Sequence, residues 1–304
     1  MTMMSERQAF IRPEEEAAAR FRELVRSASI EATPRQILTT EHLPDLLPVG
    51  TSVYVPFLPK GQFSDTLAAS CRLLELGMQP VPHVPARMAQ SRGQMEDWLA
   101  QLHESGVDRL LLIAGDSDAV AGPFPDTLAV LESGLLAHFQ FHGIGVAAHP
   151  DGHPMADRAT LAQALSVKRE YARTTATRLW VVTQFTFDAE VVIDWLQGLG
   201  NILEEVPVYI GMPGPTRVKT LIAYAAMCGV GASARMLLRR PGSARMLGAW
   251  KPDDMVQALV QYCLENPETL LRGIHLFPFG GLRQSAQWIR EHSGSVDDKR
   301  EAVS

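Results

Sequence analysis

The feature that most constrains this chain is an alternation, repeated eight times, of a short β-rich run with a longer segment of helical periodicity. The runs cover residues 28–32, 52–57, 81–84, 109–114, 144–149, 179–184, 208–212 and 274–279. Most are near-continuous apolar stretches, the pattern of strands covered on both faces. Between them, apolar residues recur at helical spacing over 64–76, 91–105, 126–139, 157–173, 188–199, 215–228 and 253–265. Several of these segments open on Ser or Asp, whose side-chain oxygen accepts a free backbone N–H of the first turn. Strand, helix, strand in succession requires parallel pairing, and eight such units in 304 residues predict an α/β fold, a closed (β/α)8 TIM barrel. Seven-stranded and doubly wound arrangements share the alternation and stay open, because the first crossover, over 33–50, is short and punctuated by proline. No linker divides the chain. The expectation is one barrel over 1–292 with an N-terminal helix, followed by a polar, disordered tail over 293–304.

Composition narrows the function classes. A net charge of -6 gives no overall attraction for phosphate backbones or anionic lipid, so neither nucleic acid nor a membrane surface is an expected partner. No segment reaches the roughly 18 uninterrupted apolar residues of a membrane span. Cys71, Cys228 and Cys263 lie far apart on helical patterns, without a CxxC pair, and read as small core residues in a reducing cytoplasm. The opening residues are charged and amphipathic and lack the apolar run of a signal peptide. Apolar helix faces suggest a homo-oligomer, most simply a dimer.

In a barrel of this type the reacting groups come from the C-terminal ends of the strands. Glu31 interrupts an apolar strand, where a carboxylate must be paired, neutral or functional. Desolvation there would raise its pKa and make it a proton donor near neutrality; a salt-bridged barrel glutamate is the equal alternative. His83 ends the third run, Ala114, Gly115 and Asp116 follow the fourth, and Gln184 ends the sixth. The stretch His149–Pro150–Asp151–Gly152–His153 packs two imidazoles and a carboxylate together. Without an HxH or HExxH pairing it reads better as loop histidines, or as cofactor contacts, than as a metal site. A metal-assisted hydrolase or lyase using His83, His149, Asp151 and His153 is nevertheless a distinct hypothesis. No GxGxxG, P-loop or GxSxG is present. Ser166, Lys168 and Arg169 on one helix, and the arginine-rich stretch 235–245, are solvated faces or anion contacts.

Taken in order, these pieces resemble the methylenetetrahydrofolate reductases from about Ser29 to Arg283. The F-E-F-F-P motif of that family is echoed by Ile30-Glu31-Ala32-Thr33-Pro34, its P-H-L by Pro82-His83-Val84, and its R-G-D by Ala114-Gly115-Asp116. A-A-Y-P-E-x-H-P is similar to Ala147-Ala148-His149-Pro150-Asp151-Gly152-His153-Pro154, N-L-K-R-K to Ser166-Val167-Lys168-Arg169-Glu170, and T-Q-F-F-F-D to Thr183-Gln184-Phe185-Thr186-Phe187-Asp188. Ile210-Gly211-Met212-Pro213-Gly214 and Ile274-His275-Leu276-Phe277 complete the series. The resemblance implies reduction of 5,10-methylenetetrahydrofolate to 5-methyltetrahydrofolate with NADH or NADPH, by ping-pong hydride transfer through FAD. It implies Glu31 as general acid, Asp116 and Gln184 as residues orienting the pterin, and Phe185 beside the substrate. FAD would be held by His83, Ala114, Gly115, Asp116, His149, His153, Ser166, Lys168 and Arg169, with no metal. The chain departs from the family where Ala114 replaces the arginine of R-G-D, where His149 replaces a tyrosine, and where both phenylalanines after Glu31 are missing. A divergent subgroup with altered flavin anchoring, or a flavin-free reductase, is the corresponding expectation.

Overall fold

The computed structural model describes residues 12–58, 61–115, 119–199, 202–227 and 249–294. Eight parallel strands close into a barrel: β1 (Ser29–Glu31), β2 (Ser52–Val55), β3 (Gln79–Pro85), β4 (Arg109–Ile113), β5 (Gly143–Ala148), β6 (Leu179–Thr183), β7 (Val208–Pro213) and, after a small two-stranded sheet, β10 (Leu271–Phe277). Neighbours in sequence are neighbours in space, and β10 closes the ring against both β7 and β1. That sheet is an antiparallel pair of strands distant in sequence, β8 (Thr216–Arg217) with β9 (Ala249–Trp250). The strand alternation does not announce it, because two residues per strand leave no periodicity to read.

The crossover helices are α2 (Pro34–Thr39), α3 (Leu43–Leu46), α4 (Phe63–Glu75), α5 (Arg92–Glu104), α6 (Thr127–Glu132), α7 (Arg158–Thr175), α8 (Ala189–Gly198), α9 (Val218–Met227), α10 (Asp253–Glu265) and α11 (Leu282–His292), while α1 (Pro13–Arg26) precedes the first strand. The proline-rich first crossover is resolved as two short helices, with Pro34 and Pro44 in their first turns, where the missing N–H costs nothing. The helix expected over 126–139 is broken. Gly134 turns left-handed at φ +75°, ending α6 and starting a 3-10 turn over Leu135–His138. Acidic and hydroxyl caps are where the sequence puts them: Asp157 Oδ1 accepts from Thr160 N at 2.7 Å, Asp126 Oδ1 from Ala129 N at 3.0 Å and Ser91 Oγ from Gln94 N at 3.1 Å.

Outward-facing strand residues such as Ile30, Val53, Leu110, Leu112, Val146 and Ile274 are fully or almost fully buried beneath the helices. Each contributes about 1.5–3 kcal/mol relative to exposure. The inward-facing residues form a different core. Tyr54, Val81, Leu111 and Val182 are buried inside the barrel, with Trp180 and Tyr209 against them. Glycine makes the room. A Cβ on Gly145 would lie 2.7 Å from the Trp180 indole, and one on Gly273 would lie 3.0 Å from the Tyr209 ring. At the N-terminal end, Arg109 Nη1 donates to Gln79 Oε1 at 2.6 Å and Ser52 Oγ donates to the same oxygen at 3.3 Å, giving the barrel a polar floor. Among the described residues, no helix is long and apolar enough to cross a membrane. Cys71 is half-buried and Cys263 buried; Cys228, the arginine-rich stretch 235–245 and residues 295–304 lie outside the described residues.

Candidate active site

Above the aromatic middle layer, the C-terminal ends of β1, β2, β3 and β10 bring four polar side chains together. Glu31 is the last residue of β1 and pairs in register with Tyr54 of β2. Its side chain is 19% exposed, and its Oε1 lies 3.6 Å from Nε2 of His83 on β3. Burial lowers the pKa of His83 to about 4, so at neutral pH the ring is uncharged and the contact is dipolar instead of a salt bridge. Among the described residues His83 Nε2 has no hydrogen-bond partner. His275 on β10 is tied down instead: its Nδ1 lies 2.8 Å from Ser29 Oγ, and burial, with His83 nearby, lowers its pKa to about 3. Tyr54 packs its ring 4.4 Å from that of His275, while its hydroxyl accepts from Trp180 Nε1 at 2.8 Å. Desolvation pushes that phenol well above its ordinary range, so it stays protonated.

A cavity of about 880 Å³ opens beside the mouth, between the ends of β4 and β5 and helix α7. Its size suits a cofactor or a large ligand, for which about 300–1,000 Å³ is usual. Ala114, His149, His153 and Lys168 line it, together with Arg87 and Arg158. Lys168 is 7% exposed and makes no hydrogen bond or ion pair among the described residues. Desolvation lowers its pKa to about 8, opposed by the charge of Asp126. The rings of His149 and His153 meet edge to face at 4.7 Å, and His153 Nδ1 accepts from Met155 N at 3.1 Å, which leaves Nε2 to carry the proton of the neutral ring. Burial, then the charges of His153 and Lys168, lower His149 to about 4. An unpartnered ammonium beside two imidazoles in a largely apolar chamber is a receptor for an anionic group.

The residues singled out from sequence thus divide. Glu31 and His83 meet at the mouth; Ala114, His149, His153 and Lys168 meet in the lateral cavity. Gly115 turns the chain out of β4 at φ +94°. Asp116 lies outside the described residues. Gln184 follows β6, half-buried, with its Oε1 accepting from Phe185 N at 3.0 Å. Ser166 does not line the cavity, and Arg169 points elsewhere, pairing with Glu204 at 3.0 Å. Along a helix, positions one residue apart face about 100° away from each other, so Lys168 and Arg169 cannot serve the same chamber equally. Phe185 is 1% exposed, covered by the rings of Phe277 at 5.5 Å and Phe279 at 4.7 Å. The half-buried aromatic surface beside the mouth is therefore Phe277, Phe279 and Tyr224, the last stacked on Phe279 at 4.1 Å. Sequence reading passed over these and over Tyr54 and Trp180, since aromatic residues on strands and helices read first as core. Of the four residues of the metal hypothesis, His83 sits at the mouth and His149 and His153 line the cavity, while Asp151 does not line it. Among the described residues, no three His, Cys, Asp or Glu side chains gather where they could hold a metal ion.

No protein-family model matches the chain. A curated 5,10-methylenetetrahydrofolate reductase of Pectobacterium carotovorum subsp. carotovorum is 30% identical over 192 residues, 60% of this chain and 61% of the relative. Over that stretch the chain is similar to a methylenetetrahydrofolate reductase. It thus aligns with about three fifths of the length of that curated relative. Among solved structures, a Clostridium thermocellum protein described as binding two copies of 5-methyl-5,6,7,8-tetrahydrofolic acid superposes with a TM-score of 0.60 at 12% identity, covering 88% of this chain and 94% of that one. At that identity the likeness is one of fold. Two of the departures from the family motifs fall on the same wall of this barrel: Ala114 presents only a methyl group to the cavity, and His149 an imidazole.

Proposed function

We propose that the protein reduces 5,10-methylenetetrahydrofolate to 5-methyltetrahydrofolate with NADH or NADPH, using FAD held between the lateral cavity and the barrel mouth. The observation that carries this reading is Glu31, a largely shielded carboxyl at the C-terminal end of β1, in a chain 30% identical over 192 residues to a curated reductase of this substrate. The residues present fit a flavin dinucleotide on independent ground: a chamber of about 880 Å³ with a buried, unpartnered Lys168. FAD, when bound, supplies hydride chemistry between a nicotinamide and a one-carbon unit. The chain supplies position and a proton. Lys168, His149 and His153 would face the anionic part of the dinucleotide, with Ala114 and the Gly115 turn closing that wall.

Opening the five-membered ring of the folate to an N5 iminium leaves an amine at N10 that must be protonated, and Glu31 is the group that holds this proton. Gln184 and Asp116 would orient the pterin, and Phe277 and Phe279 give the aromatic ring system a surface to lie against. The test begins with the visible spectrum of the purified protein before and after anaerobic NADH, where flavin absorbance that bleaches is expected. Glu31→Gln is then expected to retain that bleaching and to lose folate reduction by about 10²–10⁴-fold. Normal folate turnover in the variant would remove Glu31 as the acid. Ala114 in place of an arginine favours one second reading, a flavin-free reductase, which predicts folate reduction by protein without flavin absorbance.

A further inference from the structure

His83 is assigned by family resemblance to the cofactor, yet its surroundings point to a different partner. The ring is 8% exposed and does not line the lateral cavity. Its Nε2 is buried without a hydrogen-bond partner among the described residues, and the nearest carboxylate oxygen is Glu31 Oε1 at 3.6 Å. Leaving a buried donor or acceptor unsatisfied costs about 1–3 kcal/mol, so such a group in a site calls for a reason.

We propose that His83 is a positioning residue for Glu31: its neutral imidazole donates Nε2–H to the Glu31 carboxyl and stabilises the carboxylate left when that group gives up its proton. The inference rests on the reading of Glu31 as a proton donor. The balance is simple. Glu31 loses H⁺ to the substrate amine, the carboxylate oxygen takes the Nε2–H hydrogen bond by closing about half an ångström, and a proton from water later restores the acid. His83 itself never changes protonation state, in keeping with the burial that holds its pKa near 4.

Two other groups of the mouth are already engaged in part. Tyr54, beside Glu31 in register, accepts from the Trp180 indole through its hydroxyl oxygen. His275 meets Ser29 through Nδ1. Both are held uncharged by burial, and the His83 Nε2 on β3 stands 3.6 Å from the Glu31 carboxyl.

The decisive measurement is the titration of the Glu31 carboxyl itself, followed by the protonated-carboxyl infrared band in the difference between each protein and its Glu31→Gln counterpart. Relative to wild type, His83→Leu is expected to raise the midpoint of that band by about one pH unit, and His83→Gln, whose amide N–H can reach the same oxygen, to bring it back. In folate reduction, where present, kcat should fall about tenfold in His83→Leu with KM little changed, and the basic limb of its pH profile should follow the infrared midpoint. An unchanged midpoint in a folded His83→Leu overturns the inference. A shifted midpoint in a protein that never reduces folate leaves the His83–Glu31 coupling standing and overturns the proposed function instead. Should His83→Leu fail to fold, His83→Gln against His83→Met makes the same comparison with less change in volume.

Discussion

The barrel mouth and the lateral cavity are built on the ends of the same strands, yet they handle charge in opposite ways. At the mouth, burial keeps the inward-pointing Tyr54, His83 and His275 of β2, β3 and β10 neutral. In the cavity, side chains from loops and from α7 leave the Lys168 ammonium without a partner among the described residues. Neutral groups beside a carboxyl suit the control of one proton. An unmatched cation suits the capture of an anion. The difference follows from where the side chains are anchored: barrel-interior positions are crowded by seven other strands, whereas the face of a crossover helix meets the barrel rim with space to spare.

The largest test of this contrast lies in the crowding. Gly211 of β7 has its N–H on Thr183 Oγ1 at 2.8 Å, and a methyl group there would run into the Thr183 carbonyl oxygen and the Phe277 ring. Gly211→Ala is expected to destabilise the fold by about 3 kcal/mol, read as a lowered urea midpoint, because backbone on one side and a packed aromatic on the other leave little room to give. A midpoint within experimental scatter of wild type would mean the interior is looser than its contacts imply.

Acid stability probes the neutral histidines. Both fall below their ordinary 6.5, His83 to about 4 and His275 to about 3. Above pH 6.5 their contribution is intact; as pH falls from 6.5 towards 4 and 3, the unfolded chain takes up protons that the folded one refuses. Stability should therefore decline across that window at up to about 1.4 kcal/mol per pH unit for each group. His275→Asn, which keeps a partner for Ser29, should flatten the slope by close to one group's share. An unaltered slope would place the proton uptake elsewhere.

The cavity gives the smaller effects. Lys168→Met is expected to weaken the binding of FAD, or of ADP as a fragment, about tenfold, the order of one charge-assisted hydrogen bond. In wild type that affinity should decline as pH rises through about 8, where the free ammonium loses its charge. Arg169→Gln, one residue away but paired with Glu204, should change the affinity by less than about twofold. Titration calorimetry compares the two directly, and equal losses would mean that both cations reach the ligand.

Much of the fold was legible because parallel strands buried on both faces write themselves as apolar runs, and every one of the eight runs is a barrel strand. Glu31 was legible for the same reason, as a charge that breaks such a run. The break of the expected helix at Gly134 was harder to see, since a glycine inside an apolar period reads as tolerated until its φ is known. The surroundings of Phe185 were not legible either: Phe277 and Phe279, arriving from β10 and the loop after it, pack over its ring and leave it 1% exposed.

The amino-acid sequence by itself determined the order of strands and helices, the eightfold alternation and the strand ends at which polar residues would stand, because these depend on periodicity and on neighbours along the chain. Only the tertiary structure decided that His83 faces Glu31, that His275 answers to Ser29 across 246 positions, and that Lys168 but not Arg169 enters the cavity. Those relations depend on barrel register, on the room that glycines leave for aromatic rings and on the rotation of one helix, none of which is encoded in the spacing of residues within any single segment.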